Sequence, residues 1–145
     1  MPRVQEPLSS EIWFDRVGLI ATGALAGVEQ SLRHAYHLQQ IAPLALRESI
    51  QPAIGEADFE ELLASEDFGA AARSLVGKPM LLDLQEGSSA IETIAVVACG
   101  PWQKTARGRG PTEALAILDA WSKCVLMARA QYGSDLEELK PRATR

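Results

Sequence analysis

A mostly helical α+β domain is the fold class this sequence predicts, and three observations predict it. Apolar residues recur at steps of three and four from Phe14 through Val17, Ala21, Ala24, Val28 and Leu32 to Ala35. The same period returns near the end in Ala114, Leu118, Trp121, Val125 and Ala128. Between them, "MLLDLQ" and "TIAVVAC" switch to the alternation or continuous apolarity of strands, with the turn chemistry of "EGSS" separating them. A period of 3.6 buries one stripe of a helix and a period of 2 one face of a strand, so the order is helices, a hairpin and a closing helix.

In chain order, residues 1 to 8 read as an extended lead-in. Ser9 is the expected N-cap of a long first helix, with Leu8 and Trp13 placed as a hydrophobic staple, and the apolar stripe carries that helix to about Gln40. Pro43 and the Pro52/Gly55 pair bracket a short helical turn, "LALRESI". Asp58 and Ser65 are expected to cap two short helices, the second ending at Gly77 as a C′ glycine. The hairpin puts Met80, Leu82 and Leu84 on one face of its first strand, with Asp83 and Gln85 opposite. Pro111 and Thr112 open the last helix and Gly133 closes it. This gives one globular domain over residues 1–133 and a polar tail over 134–145.

Composition bounds the class. The 145 residues are 47% hydrophobic and 23% charged, enough for a core without metal or disulfide staples. Two cysteines, Cys99 and Cys124, suggest neither a disulfide framework nor a zinc cluster, and the start lacks a basic region leading into an apolar one. A cytoplasmic protein is the expectation. The most apolar run, Val17 to Val28, is 12 residues, short of the ~20 that span a bilayer, so no membrane association is expected. A net charge of -5 argues against general nucleic-acid binding, which needs a net basic face.

Two segments ask for more cover than the chain evidently supplies. The run "VGLIATGALAGV" has no charge on any side, and Gly23 and Gly27 form a small-xxx-small surface where another backbone can approach. The second strand, with Ile94, Val96 and Ala98 alternating with Ala95, Val97 and Cys99, needs cover on both faces, and a two-stranded sheet leaves free edges. A homo-oligomer, a dimer first, is therefore expected, with Val17, Ala21, Gly23, Ala24, Gly27 and Val28 as its interface.

The stretch "GPWQKTARGRGPT" is the candidate for chemistry. No carboxylate occurs between Glu92 and Glu113, while Lys104, Arg107 and Arg109 are threaded through Gly108 and Gly110. Read as a crossover loop into a helix N-terminus, it could hold an anion such as a phosphorylated small molecule, with Thr112 giving a hydroxyl and Trp102 a stacking face. Pro111 after Gly110 breaks the Walker A pattern, and the third glycine of the dinucleotide fingerprint is missing, so a solvated surface crossover is the competing interpretation.

The passage from the hairpin into "ARGRGPTEALAILDAW" resembles in outline the last helix of double-stranded-RNA-binding domains, which also follows a glycine-rich, small-residue lead. It is similar too to the helix–hairpin–helix sandwich of small phage-encoded domains. Both likenesses cover at most the second half of the chain, and Thr112 and Glu113 stand where the RNA-binding domains place lysines.

Elsewhere the candidates are thin. His34 and His37 lie three apart on a helix, but Gln30, Arg33, Leu38 and Ile41 occupy the positions where a carboxylate ligand would complete a metal site. Cys99 has no local base, and Cys124 falls within an apolar helix. The acidic segment Glu56, Asp58, Glu60, Glu61, Glu66 and Asp67 lacks a calcium-loop pattern and is expected to serve helix N-termini or to face the basic stretch of a neighbouring subunit. No cofactor, metal or catalytic constellation is recognised. The expected function is a small, non-enzymatic, self-associating interaction or accessory protein, with an anion-binding regulatory domain as the alternative.

Overall fold

The computed structural model describes residues 10–22, 27–77, 80–86, 92–99 and 103–138. Helix α1 (Ser10–Ala21) is followed by α2 (Val28–Gln40), a short α3 (Leu44–Arg47) continuing into a 3₁₀ turn (Glu48–Ile50), α4 (Glu56–Ala64) and α5 (Phe68–Leu75). Strands β1 (Met80–Glu86), β2 (Thr93–Cys99) and β3 (Lys104–Gly110) come next, and α6 (Glu113–Glu138) closes the chain. The fold is α+β and mostly helical, with one three-stranded antiparallel sheet in the order β1-β2-β3.

The largest departure from expectation is β3. The basic stretch read as a loop is a strand, paired along β2 from Thr93↔Gly110 to Cys99↔Lys104. It takes the second edge of β2, so the hairpin is two strands of three and β2 is central. Its alternation is of small residues with cations: Ala106 and Gly108 are buried, while Arg107 and Arg109 are exposed. The small residues let α6 come close. A Cβ on Gly108 would stand 2.5 Å from the Ala116 carbonyl oxygen and nearer still to the Ala120 nitrogen. Glycine is the residue that lets a second backbone approach a strand this way.

The expected long first helix is two. Ala21 ends α1, and Gly27, at φ 87°, stands just before α2 as its N-cap. A left-handed φ suits glycine because it has no Cβ to clash. Gly27 thus turns the chain instead of lying in a helical small-residue surface. Gly23 and Ala24 lie outside the described residues, as do the Ser9 cap, Leu8, Trp102 and the turn between β1 and β2.

Three helix boundaries move. Helix α4 begins at Glu56, with Gly55 rather than Asp58 at its N-cap. Asp67, not Ser65, caps α5, its side chain accepting from the Ala70 N–H at 3.3 Å. Gly77 follows the C-cap Val76, in close backbone contact with Gln51. At the far end, α6 runs through position 133 to Glu138, so Gly133 does not close it.

Helix α6 is the axis of the molecule. It lies along β2 and β3 on one side and along α1 and α5 on the other. Ala116, Ala120, Trp121, Cys124 and Val125 are all fully enclosed as a result. Trp13, Phe14 and Val17 pack from α1, and the Trp13 indole N–H donates to the Leu38 carbonyl at 2.9 Å, tying α1 to α2. Buried Gln39 donates from Nε2 to the Leu75 carbonyl at 2.7 Å, and the Tyr36 hydroxyl donates to the Ile54 carbonyl at 2.9 Å. These bonds anchor α2 to the short-helix segment, since buried polar groups are stable only when paired.

Candidate functional site

The register of the sheet decides what each face carries. Residues paired directly across neighbouring strands point to the same side. Toward α6 lie Met80, Leu82 and Leu84, then Ala95, Val97 and Cys99, then Ala106 and Gly108, and all but Leu82 and Leu84 are buried. The opposite face consists of three rows: Leu81–Ala98–Thr105, Asp83–Val96–Arg107 and Gln85–Ile94–Arg109. Among the described residues, no helix other than α6 has more than marginal contact with the sheet.

This outer face is therefore apolar along its centre and polar along its flanks. Ile94 is nearly enclosed, Val96 and Ala98 are half-buried, and Leu81 is 73% exposed. Asp83 and Gln85 are exposed on the β1 flank; Thr105, Arg107 and Arg109 are exposed on the β3 flank. The Asp83 carboxylate accepts from Gln85 Nε2 at 2.9 Å. Lys104, Arg107 and Arg109 form no ion pair among the described residues.

Gly108, Gly110 and Thr112 of the basic stretch are engaged with α6. Gly108 and Gly110 face Ala116, Ala120 and Leu115 of that helix. The Thr112 hydroxyl accepts from the Leu115 N–H at 3.2 Å, capping α6. The first residue of α6 is Glu113, and its carboxylate meets the Arg73 guanidinium. The positive end of this helix dipole thus already faces a carboxylate. The Arg109 N–H, at the free edge of β3, donates to Asp119 Oδ2 at 3.0 Å, and Lys123 Nζ reaches the same oxygen at 3.0 Å. One edge group of the sheet is satisfied from within the chain.

Beside this edge is an open cleft of about 610 Å³, lined by Ile20 and Ala21 of α1 and Thr22 just after it, Gly27, Val28 and Ser31 at the start of α2, Arg109, Gly110 and Pro111, and Leu115, Leu118 and Asp119 of α6. It brings Ala21, Gly27 and Val28, expected at an interface, next to Arg109 and Gly110, expected at an anion site. Val17 is fully buried within the chain, whereas Ala21 and Val28 are half-buried and Gly27 is exposed.

The remaining polar clusters are built for structure. Arg33 donates to both oxygens of Glu60, at 3.0 and 2.8 Å, and lies 3.2 Å from Glu29. The guanidinium holds the Glu60 carboxyl below its ordinary range. This pair accounts for part of the acidic segment, and Asp67 is spent on its cap. Burial, then the charges of Arg16 and His37, push the His34 imidazole below its usual value. Among the described residues, no group of three or more histidines, cysteines and carboxylates is placed to hold a metal. No described helix is long and apolar enough to cross a membrane.

Comparison with family models, curated proteins and solved structures found no match.

The cations of the site were visible in the sequence, but their setting was not. Leu81, Asp83 and Val96 gain meaning only from the two registers that set them in the same rows as Thr105 and Arg107 of β3. The one available signal was the alternation of small and cationic residues in "ARGRG".

Proposed function

We propose that this chain is an interaction or accessory module that self-associates, and that the outer face of its sheet is the working surface. One observation carries this: the central strand is apolar on both sides, and α6 covers one of them. An antiparallel sheet can face water on one side, but such a side is ordinarily polar. Here the side turned away from α6 keeps Ile94, Val96 and Ala98 at its centre and Leu81 at its margin. Sedimentation velocity over a wide concentration range tests the reading. The mass is expected to rise from one chain toward two; a constant single-chain mass refutes it.

The second reading is an anion-binding domain, and two arginines that form no ion pair among the described residues favour it. Arg107 and Arg109 stand two apart on one side of β3, roughly 7 Å from each other along the strand, close enough for two long side chains to converge on one phosphoryl group. Arg109 also stands at the lip of the cleft, where Thr22 and Ser31 add hydroxyls. Against it stand Glu113 at the start of α6 and Asp119 beside Arg109. A thermal-shift screen with phosphorylated metabolites, nucleotides and short nucleic acids separates the readings. Stabilisation that disappears in Arg107→Ala/Arg109→Ala supports the second; an empty panel leaves the first.

A further inference from the structure

The outer sheet face carries charges arranged so that it can complement itself. Its middle row runs Asp83, Val96, Arg107: a carboxylate on one edge strand, a branched apolar side chain in the centre and a guanidinium on the other edge. Two copies of such a face can be stacked by a two-fold axis in only two principal ways. An axis perpendicular to the strands lays β1 on β1 and β3 on β3, so that, passing over the middle row, it places Asp83 over Asp83 and Arg107 over Arg107. An axis parallel to the strands exchanges the edges, so that β1 of one copy lies over β3 of the other.

A two-fold rotation has no translation along its own axis, so in the second arrangement each row meets the same row. Asp83 then lies over Arg107 of the second copy, twice per dimer, and Val96 lies over Val96. The neighbouring rows are compatible with it: Leu81 meets Thr105, and Gln85 meets Arg109. Stacked sheets stand about 10 Å apart, a gap that apolar residues fill at the centre and a long arginine side chain can cross at the flank. Like charges directly opposed are unfavourable, so the row selects one axis over the other.

We infer that a second copy of this chain docks face to face on the sheet about a two-fold axis parallel to the strands, with reciprocal Asp83–Arg107 pairs on either side of a Val96–Val96 contact. The inference rests on the self-association proposed above and specifies its geometry. Seven residues on each of three strands make a face of roughly 24 by 14 Å, below the area of a permanent interface. The dimer is accordingly a reversible one.

Charge exchange tests the geometry directly. Asp83→Arg and Arg107→Asp each turn two attractive contacts into two repulsive ones, and each is expected to weaken dimerisation roughly tenfold or more. Mixing the two variants creates a heterodimer in which both contacts are attractive again, as does the double exchange within one chain. Sedimentation equilibrium on the wild type, both variants, their mixture and the double variant gives every constant, and circular dichroism checks that these exposed substitutions leave the fold intact.

Restored association in the mixture and the double variant is the expected result. A wild-type dimer indifferent to both substitutions places the contact elsewhere and overturns the geometry while leaving self-association standing. Weakening by both variants without rescue on mixing retains the face but overturns the axis. A wild type that remains one chain at every concentration removes both, whether or not an anion or an unrelated protein binds the face.

Discussion

Replacing Gly108 with alanine adds one methyl group, and the structure gives that methyl no place. Its nearest neighbours are the Ala120 nitrogen, the Ala116 carbonyl oxygen at 2.5 Å and the Ala120 Cα at 2.8 Å. All three are backbone atoms of α6, so no side-chain rotation relieves the overlap. The helix must move off β3, and α6 is packed on its far side by α1 and α5. Overpacking a core costs about 1–3 kcal/mol, and a clash with fixed backbone belongs at the top of that range or above. For a chain of this size about 3 kcal/mol corresponds to a fall in Tm of roughly 10 °C. Gly18→Ala is the matched control. Gly18 is inside α1, and a Cβ there meets nothing within 4 Å. Relief of the glycine penalty in a helix should stabilise this variant by about 0.5–1 kcal/mol. The same chemical change thus has opposite signs at two sites, measurable in one set of calorimetric scans. A Gly108→Ala protein that melts with the wild type would refute the close approach of β3 and α6.

Three further outcomes are expected. Trp13→Phe removes the indole N–H that donates to the Leu38 carbonyl at 2.9 Å and should cost about 1–3 kcal/mol in urea unfolding; an unchanged midpoint would show that the bond is dispensable. Asp67→Ala removes the α5 N-cap and should cost about 1 kcal/mol by the same assay, while Asp67→Asn should retain most of that stability. His34, with its folded value held below 6.5 by burial and by Arg16 and His37, binds its proton more readily in the unfolded chain. Stability should therefore fall as pH drops from about 6.5 toward that lower value, and above about 6.5 it should not depend on this group. His34→Gln should remove this component from the pH profile of Tm, and an identical profile would contradict the assignment.

The elements that sequence revealed are those whose local pattern and tertiary setting agree. Strands β1 and β2 fall where period-2 and continuous apolar runs place them, and α6 starts directly after Pro111 and Thr112. Strand β3 was missed because "KTARGRG" has two glycines and three cations and is poor strand material by propensity. Pairing with β2 and the approach of α6 override that propensity, and the glycines that made the segment look like a loop are what the packing requires. The break between α1 and α2 was invisible because the apolar residues keep a helical period across it. At the site, Arg107 and Arg109 stood out by charge, but Asp83 did not, since its relation to them passes through Val96 and two strand registers.

The central claim is that the side of β2 turned away from α6 is where one copy meets another. Light scattering of the wild type and a folded Val96→Arg variant at the same high concentration addresses it most directly. A mass approaching two chains for the wild type and one chain for the variant is the expected result; equal masses for the two proteins would contradict it.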